Sequence, residues 1–141
     1  MKSLKVAIYI LLLTFHFSLL KRREGKTLEN KERALKAAKA ALDKKAKDLI
    51  ILDLQGLTQI ADFFIICSGE STTQVKAIQE QIEEEFEEAG IKPLGIEGRK
   101  NNLWVLMDYG DIIIHIFEEQ TRAYYELEKL WIEAKRIPLE S

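Results

Sequence analysis

The run Asp62-Phe63-Phe64-Ile65-Ile66-Cys67-Ser68, closed by Gly69 and followed by Ser71-Thr72-Thr73-Gln74, constrains this chain more than any other feature. Its apolar residues are consecutive, so a strand built from them has no polar face and is covered on both sides. A hydroxyl followed three residues later by Gln reads as a helix N-terminus. Behind it Val75, Ile78, Ile82 and Phe86 line one face of a helix that Gly90 terminates. A doubly covered strand that runs into an amphipathic helix points to an α/β fold, because its sheet needs a layer on each face.

The remaining pattern fits one such domain. From Glu29 to about Lys47, Leu35, Ala38 and Leu42 recur at helical spacing among Lys and Glu. Leu49 to Leu52, ending in Asp53, is short enough for a buried strand, and Gln55-Gly56-Leu57-Thr58 breaks it. Three extended segments follow at Ile91 to Glu97, Leu103 to Asp108 and Asp111 to Phe117. Gly98 with Asn101-Asn102 marks a turn, and Tyr109-Gly110 links the last two segments as an antiparallel hairpin. Tyr124, Leu127 and Trp131, with Ala123 and Leu130 alongside, predict a last helix, and Pro138 ends regular structure. The expected order is α-β-β-α-β-β-β-α: a single α/β domain with a mixed sheet flanked by helices, over residues 28–135. Residues 1–27 form an extension and 136–141 a tail.

That extension carries Val6 to Leu20, fifteen residues without charge between Lys2 and Lys5 on one side and Lys21-Arg22-Arg23 on the other. Three readings compete. A secretory signal would show a small-residue cleavage site, where this run ends in three cations. A membrane-spanning helix needs roughly 20 apolar residues, so the run is short, although it suits a marginal anchor. The preferred reading is that translation starts further in, at a non-ATG codon, since Met1 and Met107 are the only methionines. Membrane association is not expected, and the expected compartment is the cytoplasm.

Charge divides the chain at the same place. Residues 1–27 hold six basic side chains and one acid, whereas residues 28–141 hold 15 basic and 22 acidic ones, a net of −7. An acidic body is repelled by nucleic-acid phosphate, so no direct nucleic-acid recognition is expected, and a partner on a ribonucleoprotein would be a basic protein. The single cysteine, Cys67, excludes an intrachain disulfide and a CxxC motif.

Few residues suggest chemistry. His115 is the one histidine beyond the extension, and alternation sets it on the strand face of Ile113 and Phe117. A lone histidine in an apolar strand reads as a hydrogen-bonded sheet residue, not a metal ligand. Ser68-Gly69-Glu70-Ser71 stands at a strand-to-helix turn where a phosphate could meet helix amides. It lacks the G-x-x-x-x-G-K-[ST] pattern, and a turn with a helix cap explains every residue in it. Asp62, Glu97, Asp108 and Asp111 fall at strand ends, but no Asp-x-Asp or Asp-x-Glu pair follows Gly69 on a strand to hold magnesium. An enzyme is therefore not expected, and neither a cofactor nor a metal is implied.

The hairpin gathers residues that make contacts. Trp104, Leu106 and Asp108 alternate to one strand face, and Tyr109-Gly110-Asp111 forms the tip. Aromatic and apolar side chains rimmed by acids have the composition of an interface hot spot. Trp104 filling the core beneath a helix is an equally good reading of the same residues.

Six strings in order resemble the Iojap/RsfS family of ribosomal silencing factors. They are Asp53 to Leu57, Ile60 to Gly69, Pro93 to Gly98, Trp104 to Asp111, Ile114 to Phe117, and Arg122 to Trp131. The resemblance covers about residues 32–131, and residues 1–27 have no counterpart. The resemblance implies a nucleotidyltransferase-like fold without catalytic residues. It also implies binding to the large ribosomal subunit through its protein L-fourteen, steric block of subunit joining, lower translation when nutrients are short, and a homodimer away from the ribosome. On that basis Glu97, Trp104, Leu106, Asp108, Tyr109, Gly110 and Asp111 are the expected contact surface. Two alternatives remain: a nucleotide-binding or nucleotidyl-transferring enzyme using the Ser68–Ser71 turn, and a membrane-anchored adaptor using Val6–Leu20.

Overall fold

Helix α1, Thr27–Asp43, opens the part of the chain that the structure, a computed structural model, describes: residues 27–139. The apolar run Val6–Leu20 lies outside the described residues. The buried face of α1 is made by Ala34, Ala37, Ala38, Ala40 and Ala41, with Leu35 beside them. Leu35 and Ala38 lie on this face as expected, and the third residue of the expected stripe is corrected, because Leu42 is 43% exposed. Alanine is the best helix former and its methyl group lets a helix lie close to its neighbours; here those are the sheet and the next helix.

Strand β1, Lys47–Asp53, begins two residues before the expected apolar run, with an irregular register between Lys47 and Ile50 where Asp48 has φ 49°. Strand β2, Phe63–Gly69, is buried along its whole length, as its uninterrupted apolar sequence requires. Helix α2, Thr72–Glu88, buries the predicted Val75, Ile78, Ile82 and Phe86, and Gln79 with them.

Three strands follow: β3, Gly95–Glu97; β4, Trp104–Asp108; and β5, Ile112–Glu118. The first is shorter than the expected Ile91–Glu97, in keeping with Pro93, which has no N–H for a ladder. Gly98 turns the chain between β3 and β4 with φ 89°, and a Cβ there would stand 2.0 Å from the Trp104 carbonyl oxygen, so no other residue fits.

The expected last helix is corrected. Helix α3 spans only Glu119–Tyr125, and Glu126 then takes a left-handed φ of 52° before the 3-10 turn Leu127–Trp131. The break resets the helical phase, so Tyr124 is 61% exposed while Leu127 is fully buried. It also lets the Arg122 guanidinium donate from Nε to Glu128 Oε1 at 3.1 Å. A two-residue strand, β6 (Lys135–Arg136), follows; nothing in the pattern announced it.

The sheet order is β3-β4-β5-β2-β1-β6. The central pair β2 and β5 is parallel, from Phe63 opposite Ile112 to Gly69 opposite Glu118, and every other pair is antiparallel. This is the expected mixed sheet in one α/β domain. Its first face is covered by α1 and α2, over Phe63, Ile65, Val105, Met107, Ile112, Ile114 and Ile116. Its second face carries Phe64, Ile66, Trp104, Leu106, Ile113 and Phe117 beneath Tyr125, Leu127 and Trp131. Among the described residues no helix is long and apolar enough to cross a membrane.

Candidate functional site

The hairpin β4–β5 is placed by backbone bonds before any side chain matters. Leu106 stands opposite His115, and the tip closes with the Tyr109 amide donating to the Ile112 carbonyl at 3.0 Å. The Asp111 carbonyl accepts from the amides of Asp62 (2.8 Å) and Phe63 (3.2 Å), which fastens the tip to the start of β2. Asn30 of α1 donates from Nδ2 to Asp62 Oδ2 at 3.1 Å, so three elements converge there.

Trp104 is 8% exposed. Its ring packs on Phe117 and Tyr125, with centroids 4.6 and 4.9 Å away, and its Nε1–H donates to His115 Nδ1 at 3.0 Å. Of the two readings open in the sequence, the structure takes the core reading. The bond also fixes the imidazole: Nδ1 accepts, so the neutral ring carries its proton on Nε2, which is buried without a partner. Burial holds His115 down to about 3. No group of three or more His, Cys, Asp or Glu that could hold a metal exists among the described residues.

Asp108 makes the turn. Its Oδ1 accepts from the Gly110 amide at 2.8 Å, and Gly110 takes φ 90°. Burial raises Asp108 to about 6, the Gly110 bond opposes that rise, and the charge of Asp111 adds to it. Tyr109 points to the first face, its ring 4.5 Å from Phe86, and burial with the charge of Glu83 raises its phenol above the ordinary range. Outside the tip, Glu29, Asn30 and Arg33 of α1 face Leu94, Gly110 and Asp111 across a hollow of about 360 Å³.

The seven expected contact residues thus share one hairpin and its edge strand, but not one exposed surface. Glu97 is exposed and Asp111 partly so; Trp104, Leu106, Asp108, Tyr109 and Gly110 are buried. Missing from the expectation were Asn30, which ties α1 to the tip, and Arg122. The Arg122 Nη1 donates to the Asp48 carbonyl at 2.8 Å and to Ser68 Oγ at 2.9 Å. Local spacing carries no signal for either, because these bonds join residues 32, 74 and 54 positions apart.

At the Ser68–Ser71 turn the Glu70 and Gln74 amides are already used. Ser71 Oγ accepts from the Gln74 amide at 3.1 Å, as a cap should. Gln74 does not return to the Ser71 amide; its Oε1 accepts from the Glu70 amide at 2.6 Å, and its Nε2 donates to the carbonyls of Lys44 and Lys45. The Glu70 carboxylate pairs with Lys47 at the same turn. An anion arriving here meets the Glu70 carboxylate, and the Glu70 and Gln74 amides already donate to side chains of the turn, so the turn caps a helix and joins it to α1.

Fold and site together define a single α/β domain with a mixed sheet, whose hairpin and turns are held by packing and local hydrogen bonds. The family described as ribosomal silencing factor during starvation matches residues 27–141. The ribosomal silencing factor RsfS of Halalkalibacterium halodurans is 42% identical over 113 residues, covering 80% of this chain and 97% of that protein. A crystallised protein of Bacillus halodurans superposes with a TM-score of 0.70 at 39% identity, over 77% of this chain and 99% of that one. More distant is the mouse protein named for mitochondrial assembly of the ribosomal large subunit, 30% identical over 61% of this chain and 39% of its own length. The chain belongs to the RsfS/Iojap family of ribosomal silencing factors.

Proposed function

We propose that this protein binds the large ribosomal subunit through ribosomal protein L-fourteen and, by its bulk, blocks joining of the small subunit, lowering translation under nutrient limitation. The observation that carries the reading is the family match across residues 27–141, with the mouse relative named for the large subunit. The geometry is in keeping with it. Steric block requires affinity and volume at the right place and no reacting group, and at the Ser68–Ser71 turn the Ser71 hydroxyl and the Gln74 side chain serve as caps. A net charge of −7 over residues 28–141 favours a basic protein surface and disfavours bare phosphate.

The contact surface in this reading is the β3 edge and the hairpin tip. Glu97 and Asp111 meet the partner there, Tyr109 and Gly110 shape the tip, and Trp104, Leu106 and Asp108 hold it from beneath. The test is titration of purified L-fourteen and of large subunits with the protein at low and moderate salt. Saturable binding to both, weaker at higher salt, supports the proposal. Binding to neither overturns it, and binding to the subunit alone moves the contact to another component.

A further inference from the structure

Residues 126–139 cover the second face of the sheet, and they are held unlike the rest of the molecule. Among them only Leu127 is buried, and Ile132 is 82% exposed. The segment wraps the β1 edge: Trp131 and Ala134 pack against the second-face cluster, Ile137 and Leu139 against the first. Its backbone ties to the sheet are the two residue pairs of β6 with β1 and the Ile137 amide donating to the Ile51 carbonyl at 2.9 Å.

Apart from Glu128 Oε1, which accepts from Arg122 Nε at 3.1 Å, its inner side is also short of hydrogen bonds. Trp131 Nε1 and Glu128 Oε2 are buried without partners, and so is His115 Nε2 in the cluster below. Phe64 contacts both rings edge-on, with centroids 4.7 Å from His115 and 5.8 Å from Trp131, and supplies no acceptor oxygen. No protein group offers these three atoms a hydrogen bond, so closing the segment over them is less favourable than closing over apolar groups. Segments with few buried apolar contacts and few backbone bonds open below the free energy of global unfolding. At its start stands Glu126, whose φ of 52° is unfavourable for a residue with a side chain.

We propose that residues 126–139 form a strap, hinged at Glu126, that detaches as one unit while α1, α2 and strands β1 to β5 stay folded. Detachment hydrates Trp131 and uncovers Phe64 and His115, whereas Trp104 stays under Tyr125 of α3. This motion belongs to the free protein and does not depend on the ribosomal reading.

The experiment is native-state hydrogen exchange on the full chain in increasing, sub-denaturing urea. It follows the amides of Ala134 and Ile137 and the Trp131 indole N–H against the amides of Ile65 and Ile114. The expected result is one shared opening constant for the three strap groups, at least a hundredfold larger than that of the core amides and with a much smaller urea dependence. Strap groups that exchange with the core's opening constant and urea dependence overturn the proposal. So does fast exchange at Ile137 with Trp131 still protected, which is fraying of an edge. Glu126→Gly relieves the left-handed backbone of the closed form and is expected to slow strap exchange severalfold. An unchanged rate in that variant overturns the hinge.

Discussion

On one face of the sheet two seventeen-residue helices bury alanines and branched aliphatic side chains; on the other, a seven-residue helix and one 3-10 turn cover a cluster of rings. The first cover repeats with helical period and satisfies its backbone internally. The second changes phase at Glu126, leaves Ile132 and Tyr124 outside, and encloses a histidine. Burial alone does not separate the faces, since Phe86 and Phe117 are equally inaccessible. They differ in how many polar groups each closes over, and so in how each responds to acid and to local opening.

The largest test removes a ring from each face. Phe86→Ala and Trp104→Ala should each cost about 3–5 kcal/mol in urea denaturation. Trp104→Phe keeps an aromatic ring in the stack but loses the N–H donor and the rest of the indole volume, and should cost about 1–3 kcal/mol. A cost below about 1 kcal/mol for either alanine variant would show that its face is not core.

Acid should act through the second face. His115 is held at about 3, below its ordinary 6.5, so it binds protons in the unfolded chain first. Its contribution is complete above pH 6.5 and is lost as pH falls towards 3, at up to about 1.4 kcal/mol per pH unit. The pair of changes Trp104→Phe and His115→Leu removes donor and acceptor together, and melts between pH 7 and 4 should then fall less steeply. An unchanged slope would place the acid sensitivity elsewhere.

Asp108 titrates in the opposite sense. It is raised from 3.8 to about 6 in the folded protein, so the folded form holds its proton more tightly. That contribution is present below pH 3.8 and lost as pH rises through about 6, where the buried charge becomes a cost. Asp108→Asn keeps an acceptor for the Gly110 amide and should gain about 1–3 kcal/mol at pH 7. The gain should vanish by about pH 3.8; a loss at neutral pH would show that the carboxylate is stabilised by something other than the Gly110 bond.

The smallest effect belongs to the rim. Glu97→Gln with Asp111→Asn should leave the melting temperature within a few degrees and weaken large-subunit binding by a few-fold, mainly through slower association at low salt. Equal affinity at every salt concentration would remove these two acids from the contact surface.

How far the sequence could be read follows the same division between faces. The strand at Phe63–Gly69 and helix α2 were legible because burial on both sides, and on one stripe, writes a local period. Helix α1 was legible in existence and in Leu35 and Ala38, but it ends at Asp43, Leu42 is exposed, and the other buried alanines were missed because alanine gives little hydrophobic signal. The second cover was only partly legible. A left-handed Glu126 leaves no mark in the period of Tyr124, Leu127 and Trp131, and β6 is two charged residues whose pairing depends on an edge offered by β1. At the site, the sequence placed Trp104, Leu106 and Asp108 on one strand face correctly. Whether that face met solvent or a layer above depended on where Tyr125 and Leu127 would lie, which is tertiary information.

The proposed function is occupation of the large subunit by the protein. Its most direct test is a sucrose gradient of purified subunits under joining conditions, with and without the protein. The expected result is that the protein travels with the large subunit and that the joined-ribosome peak falls as its concentration rises. A protein that remains at the top of the gradient, with joining unchanged, would contradict it.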